Sequence, residues 1–102
     1  MSEASKVFRR MVNERADTLR KLPFQQLKAL KQSTETITLK KRQGTIAIIV
    51  NQLASGGVLI VVQGFLKWRL LPRVWTVGLD GFYKYSDETM APMTREDEWT
   101  YD

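Results

Sequence analysis

The residues best suited to chemistry lie between positions 67 and 75, where Lys67-Trp68-Arg69, Arg73 and Trp75 interleave cations with aromatic rings. On a sheet, that mixture is how single-stranded nucleic acid is held: the rings stack on bases while the cations follow the phosphates. Lys40-Lys41-Arg42 extends the patch if the first and third strands of the sheet end near one another. No recognition-module signature accompanies it. The alternation of small and aromatic residues found in RNA-binding sheets is missing, as is a Gly-x-x-Gly loop in a helical setting. The plainer reading of the same residues is two core tryptophans with strand-end lysines and arginines that blunt exposed edges.

Asp80, beside Gly81 and before Phe82-Tyr83, is the best single candidate for a functional carboxylate. With Glu88 or Glu98 it would bind a cation or a basic group. With Trp75, Phe82, Tyr83 and Trp99 it would line an aromatic ligand pocket. Against this, an Asp-Gly pair is more commonly a matter of backbone geometry. Other chemistry is closed off by missing residue types. The chain has no cysteine, which excludes disulfides, thiolate metal sites and a Cys nucleophile. It has no histidine either, which removes the commonest general base near neutral pH and the Ser-His-Asp arrangement. No two carboxylates are spaced as an acid/base pair, so neither a cofactor nor a metal is expected, and an enzyme is the less favoured class. Ser55-Gly56-Gly57 is too short for a phosphate loop and precedes a strand, so it reads as a turn.

The formal charge of +5 hides a split. Residues 1–73 hold 14 of the 16 Lys/Arg and four of the 11 acids, a net of +10, whereas residues 74–102 carry a net of −5. Such asymmetry marks either a surface for nucleic acid or acidic lipid, or an acidic end that lies against a basic one within or between chains. Arg9, Arg10, Arg15, Arg20, Lys21, Lys28 and Lys31 are interrupted by Glu14 and Asp17, a pattern better suited to a solvated helix face with local ion pairs.

The elements that must position these groups fit one α+β domain of 102 residues. Val7, Phe8, Met11, Val12, Ala16, Leu19 and Leu22 recur at helical spacing, which predicts an amphipathic helix over 3–22. Pro23 ends it or opens a second, short helix that runs to about Lys31. Glu35–Lys40 alternates as a half-buried strand near an edge, with Arg42-Gln43-Gly44 as the turn into the next. From Gly44 to Leu66 there is no charge, a run long enough to cross a bilayer as a helix. Its β-branched clusters, Ile46–Val50 and Val58–Val62, and the break at Ser55-Gly56-Gly57 favour a β-hairpin instead, so a membrane partner is not expected.

A fourth strand begins near Arg73; Asp80-Gly81 is a tight hairpin turn or, on the favoured reading, Gly78 and Gly81 mark irregularities in one long strand that reverses at Ser86–Thr89, with Met90–Met93 as a return strand. Thr94–Asp97 resembles a capping box that starts one helical turn, with Trp99 and Tyr101 packing inward. The predicted architecture is thus an N-terminal amphipathic helix and a short second helix packed on an antiparallel sheet of four to five strands, with a short C-terminal helical turn. The two inner strands are apolar at consecutive positions, which requires cover on both faces. The helix supplies one cover; the C-terminal segment or a second copy must supply the other.

Val61-Val62-Gln63, Leu79-Asp80-Gly81-Phe82 and Met93–Trp99, with Leu22-Pro23-Phe24-Gln25-Gln26-Leu27, resemble a group of small bacterial proteins of unknown function. The resemblance covers about half the chain in short pieces. It implies a helix-then-sheet α+β domain and carries no activity; Lys40–Arg42 and Lys67–Arg73 are more basic than that pattern. The leading expectation is a non-enzymatic interaction domain that self-associates through its sheet as a homo-oligomer. Single-stranded nucleic-acid binding through residues 40–42 and 67–75 is the alternative, and a small-ligand site at Asp80, Phe82 and Trp99 comes third. The absence of cysteine and of an N-terminal secretory signal makes the cytoplasm the expected location.

Overall fold

A computed structural model of the chain describes residues 3–39, 42–67 and 74–101, with the side chains of 74–77 outside the description. The elements follow in the order α1 (Glu3–Arg20), α2 (Phe24–Ala29), β1 (Ser33–Leu39), β2 (Arg42–Gln52), β3 (Val58–Lys67), β4 (Val74–Lys84), β5 (Met90–Pro92) and α3 (Arg95–Tyr101). The five strands form one antiparallel meander in sequence order. This is the α+β architecture that the residue pattern predicts.

Residues 44–67 form a hairpin, with Gly56 at φ 96° in its turn and Leu53 N–H donating to the Gly57 carbonyl. No helix among the described residues is long and apolar enough to cross a membrane. One turn falls elsewhere than expected. Leu39 pairs with Arg42, so Arg42, Gln43 and Gly44 belong to β2. Gly44 serves close packing instead. A Cβ there would lie 2.6 Å from the Phe8 ring, and one at Gly64 would lie 2.6 Å from Val12 Cγ2. With Gly78 on β4, these residues make a shallow floor that lets α1 approach the sheet.

α1 buries Ala4, Phe8, Val12, Ala16 and Leu19, a stripe at four- and three-residue spacing, and packs on β3 and β4. Facing it are Ile46, Val58, Ile60, Val62, Leu66 and Phe82, which with the helix stripe form the core. Each fully buried Phe, Leu or Val contributes about 1.5–3 kcal/mol, so this face is the main source of stability. Polar contacts fix the helices onto the sheet. Arg20 reaches Asp80 from the last turn of α1, and its guanidinium lies 5.3 Å from the centre of the Phe82 ring. Pro23 opens α2, and both oxygens of the Glu88 carboxylate accept from Phe24 N–H at 3.0 Å. Glu88 sits at φ 70° in the β4–β5 turn.

β4 is one long strand, as expected, but its irregularity lies opposite Gly64 and Phe65, where the register slips by one residue at Val77. Asp80 and Gly81 are in regular register with Val62 and Val61.

Candidate functional site

The structure does not gather the expected ligand residues. Asp80 and Phe82 alternate onto the face beneath α1, where Asp80 is taken up by Arg20 and Phe82 is 2 % exposed in the core. Tyr83 points to the opposite face and donates to Asp97. Trp99 is 80 % exposed rather than packed inward. The reason is helical spacing: Asp97 and Tyr101, four apart, both face the sheet, and Trp99 midway between them points outward. Glu88 is committed to Phe24 N–H, and no group of His, Cys, Asp or Glu that could hold a metal ion occurs among the described residues.

Of the cation and aromatic set, Lys40, Lys41, Trp68, Arg69 and Arg73 lie outside the described residues, as does the side chain of Trp75. Arg42 is half-buried and Lys67 exposed. β1 and β3 end on the same side of the sheet with β2 between them, so Leu39, Arg42, Lys67 and Val74 bracket both basic segments at one end. The N-terminal half of α1, with Lys6, Arg9 and Arg10, lies toward that end too. Phe8 rests against Gly44 and Gly64, whereas Arg20 reaches Asp80 and Gly81 further down β4.

The second face of the sheet is covered by the C-terminal segment. Leu59, Val61 and Gln63 point away from α1, yet they are 4 %, 0 % and 8 % exposed. A Cβ on Gly81 would meet Met93 Sδ at 2.7 Å, which places Met93 over the strand. Asn51 donates to the Tyr101 hydroxyl and Gln63 to the Tyr101 carbonyl, so α3 crosses from β4 to β2. Thr94 and Asp97 form the capping box: Asp97 N–H donates to Thr94 Oγ1 at 3.1 Å and Thr94 N–H returns to Asp97 Oδ2 at 3.2 Å. The bond from Tyr83 raises its own hydroxyl to about pKa 12, and with the Thr94 bonds it lowers the Asp97 carboxyl below the ordinary range. Asn51 and Gln63 carry no functional signal in the residue pattern alone. That they sit on adjacent strands and on one face, where a partner group must satisfy them, is the signal that would have found the contact.

These two covers leave one part of the sheet open. α1 packs on β3 and β4, and α3 reaches across only to Asn51 of β2. α2 packs on β2 and β3, and two openings border the β1–β2 half. One, of about 370 Å³, lies between helix and sheet among Met11, Glu14, Arg15, Thr18, Leu19 and Ile48. The other, of about 470 Å³, is lined by Gln32, Ser33, Thr34, Ala47, Ile48 and Ile49.

Beyond it, among the described residues β1 pairs with β2 alone and presents its outer edge. Ser33 through Thr36 and Thr38 are exposed. Natural edges are blunted by shortness, proline, bulges or lysine. β5, the opposite edge, has three residues and Pro92. β1 has seven residues, regular register, no proline or lysine, and one charge, Glu35, which pairs with Arg15 at 2.9 Å. Comparison with protein-family models, curated proteins and solved structures finds no match, so the resemblance to small bacterial proteins gains no support from them.

Proposed function

We propose that this chain is a non-enzymatic interaction domain that self-associates by pairing β1 with β1 of a second copy, joining two five-stranded sheets. The observation that carries this reading is the coincidence at one hairpin of an unblunted edge and two openings beside it. An antiparallel pair of identical strands is closed by a two-fold axis, so it stops at a dimer. In that arrangement Thr34, Thr36 and Thr38 of both copies line one surface of the seam, a favourable cross-strand set. Main-chain hydrogen bonds along the edge supply the affinity, as in other strand additions.

The test is sedimentation of the native chain beside Thr36→Lys. Thr36 is exposed, so lysine there leaves the fold intact but sets like charges against each other across the axis. The native chain should dimerise and the variant should stay monomeric. A native chain that remains monomeric at high concentration rules the reading out.

A second reading attaches to the opposite feature of the charge pattern: binding of single-stranded nucleic acid at the end of the sheet marked by Arg42 and Lys67. It is supported by the described cations Arg42, Lys67 and Lys6–Arg10 at that end, and by the absence of any acid between Glu35 and Asp80 in the sequence. Such binding is dominated by phosphate contacts and must weaken steeply with salt. No binding of an oligonucleotide at low salt ends it.

A further inference from the structure

The cover over Leu59 and Val61 is built unlike the cover on the other face. α1 holds the sheet through five buried residues, whereas no residue of α3 is buried. Among the described residues, what ties α3 down is Met93 over Gly81 and three side-chain hydrogen bonds, from Tyr83 to Asp97 and from Asn51 and Gln63 to Tyr101. Trp99, its largest side chain, faces solvent and adds nothing to the attachment. A helix of seven residues has no stability of its own, so docking and helix formation stand or fall together. Segments with few buried apolar contacts open at a free energy well below that of global unfolding.

We propose that residues 93–101 are a detachable strap, which lifts from an otherwise intact sheet and uncovers an apolar strip at Leu59 and Val61. At rest the strap occupies that sheet face. The β1 edge lies outside the strap, so opening does not depend on self-association and is measured in the Thr36→Lys background.

Because the chain has no cysteine, one introduced thiol reports on one place. Val61 and Val62 are neighbours, both 0 % exposed, and point to opposite faces, Val61 under the strap and Val62 under α1. The experiment compares thiol labelling of Val61→Cys and Val62→Cys under native conditions. The strap predicts that the thiol at 61 labels at least about tenfold faster than the thiol at 62. Tyr83→Phe, which removes one attachment, should speed labelling at 61 by about fivefold. Asp80→Ala, which loosens α1 alone, should speed labelling at 62 and leave 61 unchanged. Equal labelling at both positions, with equal responses to both substitutions, overturns the proposal. If Val61→Cys fails to fold, Leu59→Cys, on the same face, takes its place.

Discussion

Arg20 Nη2 lies 2.6 Å from Asp80 Oδ1, tying the last turn of α1 to β4 across 60 residues of chain. A second guanidinium nitrogen reaches Asp17 Oδ1 at 2.6 Å, and the Asp80 bond is the main reason the guanidinium pKa stands above its ordinary value. The pair is part-buried, so losing the Asp80 carboxylate leaves Arg20 with Asp17 as its remaining carboxylate partner. Asp80→Ala is expected to lower unfolding stability by about 1–3 kcal/mol without changing the circular dichroism of the folded state. Chemical denaturation measures it. A ligand-binding carboxylate would instead leave stability untouched.

The glycine floor beneath α1 gives a steric prediction. Gly64→Ala puts a methyl 2.6 Å from Val12 Cγ2 and about 3 Å from the Phe8 ring, and should cost roughly 1–3 kcal/mol. Pairing Gly64→Ala with Val12→Ala should recover part of that loss, because the two changes share one volume. A denaturation cycle that shows simple additivity contradicts the close approach.

The bond from Tyr83 to Asp97 sets a pH window for the attachment of α3. The Asp97 carboxyl is held below its unfolded value, so its contribution is full above about pH 4 and fades as pH falls through the lowered pKa. Tyr83 is raised to about 12, so its contribution is full below the ordinary tyrosine pKa of about 10 and is lost as pH rises through about 12. Amide exchange of residues 95–101 should stay constant relative to β3 across neutral pH, once corrected for intrinsic exchange, and rise in acid. Tyr83→Phe should remove the alkaline limb of the transition.

Much of this fold can be read from residue order. The β-branched clusters around Ser55-Gly56-Gly57 mark the central hairpin, and Thr94 with Asp97 marks the start of α3. What escaped reading depends on partners distant in the chain. Gly44 looks like a turn residue until Phe8 is placed against it, and Trp99 looks like core until Tyr101 is seen to take the inward position. Asp80, Phe82 and Trp99 seem a cluster in sequence, but strand alternation and the antiparallel return send Trp99 to the other face. The edge position of β1 is legible in its half-buried alternation, and strand order leaves it outermost.

The nucleic-acid reading predicts its own salt dependence. Lys6, Arg10 and Lys67 are exposed cations at that end, and three phosphate contacts correspond to a slope of roughly −2 in log K against log salt for a single strand. Lys67→Glu should weaken binding and make the slope shallower. Fluorescence anisotropy with a labelled oligonucleotide decides it, and binding insensitive to salt contradicts it.

Strand pairing at β1 is tested most directly by a cysteine scan of the edge. Thr34→Cys, Thr36→Cys and Thr38→Cys each place the chain's one thiol on the same surface of β1, with Ser55→Cys in the β2–β3 turn as the control. Opposed residues across an antiparallel seam come within disulfide reach. Under mild oxidation, at least one of the three edge positions should cross-link to twice the 11.8 kDa chain mass, well ahead of Ser55→Cys. Cross-linking no faster at the edge than at Ser55 would contradict association through β1.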